Sequence, residues 1–124
     1  MPLPLLGILG IIVGAVVVGA LVTYAVILTV KWLRDKIKDM IARKNAEKVL
    51  VTDIENLVKN CTNKKSLDEL NKLVDEGYEF VAVAVDDTEK NIVGDVTLIK
   101  DLNDELDYEV EQLLGNQRMV VIEQ

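Results

Sequence analysis

The hydrophobic and polar positions of this chain fall into three regions with different patterns. Residues 1–30 contain no charged side chain, and the run over residues 3–30 is almost wholly apolar. A helix needs about 20 apolar residues to cross a bilayer, where every backbone amide must be paired within the segment. The first region therefore predicts a single transmembrane helix, and we assign residues 1–30 to a membrane anchor.

In the second region, residues 31–48, apolar and polar residues alternate with the period of a helix. Leu33, Ile37, Met40 and Ile41 fall on one face, which predicts a basic juxtamembrane amphipathic helix. Seven Lys/Arg stand against three Asp/Glu here, a net charge of +4. By the positive-inside rule these cations predict an N-terminus outside and a cytoplasmic C-terminal domain. The expected membrane-interface residues are Trp32, Lys31, Arg34, Lys36 and Lys38.

The third region, residues 49–124, has the mixed periods of a small α+β domain. Thr52 and Ser66 each precede a glutamate by three positions, a capping-box pattern that predicts helices over residues 53–60 and 67–76. The short apolar run at residues 49–51 fits either a strand or the tail of a longer helix.

A change of period follows Gly77. Residues 79–85 and 92–99 are rich in β-branched side chains and predict a β-hairpin. Asp101 is expected to cap a third helix, and residues 118–122 form a last strand whose connection would be parallel and right-handed. The prediction for this domain is two short helices and a ββαβ unit, with a sheet of about three strands.

Charge and composition narrow the function classes. Residues 49–124 carry seven Lys/Arg against eighteen Asp/Glu, so the whole chain has a net charge of −7. Such an acidic body repels phosphate backbones, and we expect no nucleic-acid partner. The chain has no histidine and a single cysteine, Cys61, so the commonest general base and metal ligand is missing and no internal disulfide can form. We therefore expect no enzyme activity and no cofactor.

Three glycines of the apolar region have the spacing of a helix–helix interface. Gly7, Gly10 and Gly14 fall on one helical face, where small residues let two helices approach closely. The pattern predicts self-association or docking to a partner in the membrane. The alternative is that glycine is simply frequent in membrane spans.

The turn between the two predicted hairpin strands is acidic. Asp86, Asp87 and Glu89 could hold Ca²⁺ or Mg²⁺ through carboxylate oxygens. They lack the spacing of an EF-hand loop, and the alternative is an ordinary solvated turn.

Residues 66–102 combine a helix, a strand, an acidic turn and the strand sequence Ile-Val-Gly-Asp-Val-Thr at residues 92–97. In this order they resemble one half of a CBS-domain pair. The resemblance implies binding of an adenine nucleotide, with Thr97 and Asp101 contacting the ribose hydroxyls. Asp101 comes one position later than in that family, and the chain holds no second half.

These observations give one leading functional interpretation and two alternatives. The leading one is a non-enzymatic single-pass membrane protein that acts as an anchor, assembly or interaction module, either oligomeric or an accessory subunit. Its expected partners are the lipid bilayer and either a second copy or another membrane protein. The first alternative is a CBS-like nucleotide sensor, and the second is a small membrane-active protein of the holin or effector type.

Overall fold

A mixed five-stranded sheet organises the part of the chain that the structure, a computed structural model, describes. The described residues are 10–16, 21–44, 46–87 and 91–123. Residues 10–16 are helical and are termed α1. The other elements, in chain order, are β1 (Leu21–Val26), α2 (Val30–Lys44), β2 (Lys48–Asp53), α3 (Ile54–Lys59), α4 (Lys64–Asp75), β3 (Phe80–Val85), β4 (Ile92–Asp101), α5 (Tyr108–Leu114) and β5 (Met119–Glu123).

The strand order of the sheet is β1-β4-β3-β2-β5. β1 pairs in parallel with β4, while β3 pairs antiparallel with β4 and with β2, and β5 pairs antiparallel with β2. As a result β1, β2 and β4 end at the same end of the sheet, where β3 and β5 begin. At that end Val26 is paired with Asp101, and Asp53 is paired with Phe80.

Helices cover both faces of the sheet. We call one side the α4 face: α1, α3 and α4 pack there against Leu50, Val81, Val83, Val85, Val96, Leu98 and Met119. We call the other the α2 face: α2 and α5 pack there against Val49, Val51, Phe80, Ala82, Ala84 and Ile99. A central strand covered on both sides is apolar throughout, which is the pattern of β3.

The sequence of β3 shows how the two faces differ. Its three valines point to the α4 face, whereas Phe80, Ala82 and Ala84 point to the α2 face. The small alanine side chains let α2 approach the sheet closely, and all six residues of the strand are buried. The hairpin of β3 and β4 is antiparallel, so this part of the prediction is confirmed.

The expected transmembrane helix over residues 3–30 is wrong. Within that range Leu21–Val26 forms a strand paired with β4, and Ile12, Val13 and Val16 of α1 are buried in the core. No helix among the described residues is long and apolar enough to cross a membrane. The single-pass topology, with the N-terminus outside and a cytoplasmic domain, is wrong for the same reason. An uncharged apolar run suits a buried helix followed by a buried strand as well as it suits a span, and hydropathy alone does not separate the two.

The amphipathic helix predicted over residues 31–48 coincides with α2 as far as Lys44, while Lys48 already belongs to β2. Its apolar side chains Leu33, Ile37, Met40 and Ile41 are buried against the α2 face of the sheet. The apolar stripe of this helix therefore packs on the sheet.

Two features of the predicted C-terminal part are also wrong. β5 lies beside β2 in antiparallel orientation, and not parallel to β4, so the proposed ββαβ unit and three-stranded sheet are replaced by a five-stranded sheet. The last helix begins at Tyr108, capped by Asp107, and not at Asp101. Asp101 is instead the last residue of β4, paired with β1.

Candidate functional site

A groove lies where α2, α5 and β5 meet on the α2 face. α5 has seven residues, so it covers only part of this face and leaves a gap beside β5. The resulting cavity has a volume of about 330 Å³. It is lined mainly by apolar side chains with charges at its rim: Arg34, Ile37, Lys38, Ile41, Leu113, Ile122 and Glu123. We call this the α2–α5 groove.

The charges at the rim of the α2–α5 groove are unbalanced. Arg34 and Lys38 are exposed, and neither forms an ion pair with another residue in the described part of the chain. Glu123, in contrast, is paired with Lys48 at 3.4 Å. The groove therefore combines an apolar floor with two cations that have no carboxylate partner in the described ranges. Such a combination attracts an apolar segment with negative charges beside it.

A second depression continues the groove toward the start of α2. It has a volume of about 370 Å³ and shares Arg34 and Leu113 with the first. Val30, Glu109 and Gln112 complete its lining. Arg34 thus stands between two hollows, and together they extend the concave surface along the contact between α2 and α5.

The outer edge of β5 borders the groove. In the described ranges β5 is paired only with β2, so its other edge has backbone N–H and C=O groups without a strand partner. Val120, Val121 and Ile122 are only partly buried there. An edge of this kind accepts a further strand unless charges or a covering element prevent it.

A smaller polar cleft of about 260 Å³ lies at the end of the α4 face. Its main contact joins Arg118 Nε to Asp53 Oδ2 at 2.6 Å, and Asp53 Oδ1 also accepts a hydrogen bond from the Asn56 backbone amide at 3.0 Å. Arg118 has a φ of +53°, a left-handed conformation that is uncommon for a side-chain-bearing residue. Its carbonyl accepts the Asp53 amide at 3.0 Å, so the strained residue is held from both sides.

Glu79 lines the same cleft and has a perturbed pKa. Partial burial raises the pKa of its carboxyl above the ordinary 4.5, the negative charge of Asp101 raises it further, and Arg118 lowers it. Arg118 forms its ion pair with Asp53, and its charge only partly offsets the two effects that raise the pKa of Glu79.

Asp101 closes the end of the α2 face. Its Oδ1 accepts hydrogen bonds from the backbone amides of Leu28 at 3.1 Å and Asn103 at 3.0 Å. Its Oδ2 is buried and has no hydrogen-bond partner in the part of the chain that the structure describes. Thr97, the other residue implied by the CBS resemblance, is 3 % exposed, and Asp101 is 7 % exposed. Both side chains point into the interior, and the nucleotide interpretation stays a prediction.

The residues predicted for a membrane interface all lie on α2, where they divide into two groups. Trp32 and Lys36 contact Tyr24 of β1: the two rings meet edge to face at 5.8 Å, and the Lys36 ammonium donates to the Tyr24 hydroxyl and lies 4.2 Å from its ring centre. Lys31, Arg34 and Lys38 are exposed. The first group therefore holds α2 to the edge strand, and two of the second group border the groove.

Two of the three glycines predicted to form a helix–helix interface lie within the described residues. Gly7 lies outside the described residues, while Gly10 and Gly14 are exposed on α1, and a β-carbon at either position would meet no described atom within 4 Å. Their helix buries Ile12, Val13 and Val16 instead. No described element packs closely over the two glycines, and their role in association stays a prediction.

The acidic turn serves the hairpin in the structure. Asp86 Oδ2 accepts a hydrogen bond from the Asn91 side-chain amide at 2.7 Å, and the Asp86 amide donates to the Asn91 carbonyl at 3.1 Å. Asp87 is exposed, and Glu89 lies outside the described residues. Within the described ranges no group of three or more acidic or cysteine side chains is placed to hold a metal ion.

Little in the sequence indicates the groove. Arg34 and Lys38 stand out by their charge, but Leu113 and Ile122 come from distant parts of the chain, and only the position of β5 beside β2 brings them to α2. The four-residue spacing of Arg34 and Lys38 on one helix face is the available signal. Comparison of the chain with protein-family models, with curated proteins and with solved structures gave no match.

Proposed function

We propose that this chain is a non-enzymatic protein-interaction module that binds an apolar, acidic segment of a partner protein in the α2–α5 groove. The observation that carries the proposal is an apolar floor, built from Ile37, Ile41, Leu113 and Ile122, beside two cations, Arg34 and Lys38, that form no ion pair with any described residue. Interfaces bind through buried apolar anchors, while the surrounding charges select the partner and its orientation.

The position of the groove supports the same proposal. It adjoins the open edge of β5, so a bound segment can also add backbone hydrogen bonds to the sheet. The walls are regular elements: α2 is 15 residues long and is held to β1 by Tyr24, Trp32 and Lys36. A preformed wall lowers the ordering cost of binding.

Site-specific photocrosslinking in the cell that makes the chain tests this proposal. A photoreactive side chain replaces Gln112, an exposed residue of the second depression, or, as the matched control, Asn71, an exposed residue of α4. Both substitutions leave Arg34 and Lys38 in place. We expect discrete adducts from position 112 that are absent from position 71. The further substitution Leu113→Glu places a carboxylate in the floor and should remove the adducts, since it repels an acidic partner.

Equal labelling from both positions, or adducts that persist with Leu113→Glu, contradicts the proposal. The mass of the adduct carries separate information. A partner of any size is consistent with an interaction module, whereas an adduct of twice the chain's mass identifies the partner as a second copy.

A further inference from the structure

We infer that the occupant of the α2–α5 groove is residues 102–108 of a second copy of this chain, so that two copies form a closed two-fold dimer. This inference rests on the proposed function and names its partner. It is carried by a match between two surfaces of the same chain, one apolar and basic, the other apolar and acidic.

The donor surface is residues 102–108, which are the loop between β4 and α5 together with the first residue of α5, and we call it the acidic loop. It presents two large apolar side chains to solvent, Leu102 at 59 % exposed and Tyr108 at 71 % exposed. Asp104 and Glu105 between them are exposed, and no ion pair joins either to another residue that the structure describes. Exposed apolar anchors of this size, flanked by charge, are typical of the centre of an interface.

The acceptor surface offers the complementary chemistry. The α2–α5 groove has an apolar floor for the two anchors, and Arg34 and Lys38 stand at its rim without carboxylate partners in the described part of the chain. Docking the acidic loop there brings these two cations to Asp104 and Glu105, the two carboxylates that form no ion pair with a described residue. The net charge of −7 makes two copies repel each other over most of their surfaces. The basic rim of the groove is an exception, so an acidic surface of a second copy is attracted there.

One helix connects donor and acceptor. α5 begins at Tyr108, which belongs to the acidic loop, and its Leu113 lines the groove. When donor and acceptor are neighbours on one surface, a two-fold axis lets each copy place its loop in the groove of the other. Such an isologous contact is made twice and closes the assembly at two copies.

Charge reversal of the full-length chain tests the inference. The variant R34E/K38E makes the groove acidic, and D104K/E105K makes the loop basic. We expect the wild type to sediment as a concentration-dependent dimer in analytical ultracentrifugation. Each variant alone should associate about 100-fold more weakly, because like charges then face each other across the contact.

The decisive sample is the equimolar mixture of the two variants. In the mixture every reversed groove meets a reversed loop, so we expect dimerisation to return to within about tenfold of the wild type. The matched controls are K64E/K65E and D68K/E69K on α4, which change the net charge equally at exposed positions. Neither control should alter dimerisation, and circular dichroism verifies that all variants are folded.

A monomeric wild type overturns the inference, as do variants that dimerise like the wild type or a mixture that stays monomeric. These failures are distinguishable from failure of the proposed function. If photocrosslinking at position 112 captures a different protein while the wild type is monomeric, the interaction module stands and the second copy does not. If position 112 gives no specific adduct, both fall.

Discussion

The two faces of the sheet are covered to different degrees, although the same strands supply both. On the α4 face three helices close over the sheet, and Ile12, Leu57 and Leu70 are fully buried. On the α2 face, α2 covers the centre, but the seven residues of α5 leave the part beside β5 open. Both faces therefore contain a buried core, but within the described residues only the α2 face has an open apolar groove beside its core.

The two faces of the sheet also differ in the side chains at their ends. Asp101 ends the α2 face by accepting two backbone hydrogen bonds, one from Leu28 after β1 and one from Asn103 in its own loop. The end of the α4 face is a polar cleft, in which Asp53 and Arg118 pair and the pKa of Glu79 is raised. The end of the α2 face is therefore closed by the hydrogen bonds of Asp101. The end of the α4 face contains Glu79, whose charged form is disfavoured by its surroundings.

The largest expected effect comes from the α4 face. Leu70→Ala removes a fully buried side chain from α4 and should lower the free energy of unfolding by about 2–5 kcal/mol. Leu113→Ala, in the floor of the groove, should lower it by about 1 kcal/mol or less, since this side chain is only partly buried. Urea unfolding of both variants measures the difference. Equal losses would mean that the two faces contribute alike.

The closure of the α2 face gives the next effect. Asp101→Ala leaves the buried Leu28 amide without an acceptor and should destabilise the chain by about 1–3 kcal/mol. The control is Asp101→Asn, whose side-chain oxygen can still accept from Leu28 and Asn103. We expect this control to retain most of the stability in the same urea titration. If the alanine and asparagine variants unfold together, the hydrogen bonds of Asp101 do not close this face.

The contrast between the faces also shows what the sequence could reveal. The hairpin was predictable because alternating valines and alanines over residues 80–85 have a local signature. The capping-box patterns predicted helices close to residues 54–59 and 64–75, but the predicted caps Thr52 and Ser66 are wrong, because Asp53 and Asn63 are the N-caps. Such features depend on neighbours in the chain.

The parts that could not be predicted depend on distant pairing. Nothing local in residues 21–26 indicates that they pair with residues 96–101, and an uncharged strand in an apolar run has the hydropathy of a membrane span. The groove requires α2, α5 and β5 together, so it follows from the strand order. The sequence shows the two cations of the groove, but it does not show which apolar side chains lie beside them.

Two helix caps provide a smaller test of the comparison. Asp53 caps α3 on the side of the α4 face, and Asp107 caps α5. Each substitution by alanine should cost about 0.5–2 kcal/mol. Asp53→Ala should have the larger effect, because Asp53 is 7 % exposed and also holds Arg118. Thermal unfolding followed by circular dichroism measures both variants, and a larger loss with Asp107→Ala would show that the short helix matters more.

The smallest expected effect is the pH dependence at Glu79. Because the pKa of this carboxyl is raised in the folded chain, the folded state binds the proton more tightly than the unfolded state does. Its contribution to stability is therefore fully present below the unfolded pKa, near 4.5, and is lost as the pH rises through the folded pKa. Glu79→Gln should raise the Tm relative to the wild type at pH 7, whereas the two should converge in acid. Glu69→Gln on the exposed side of α4 is the control for an equal change of charge. If both substitutions raise the Tm at pH 7 by the same amount, the effect comes from the net negative charge of the chain, and the cleft has no special part in it.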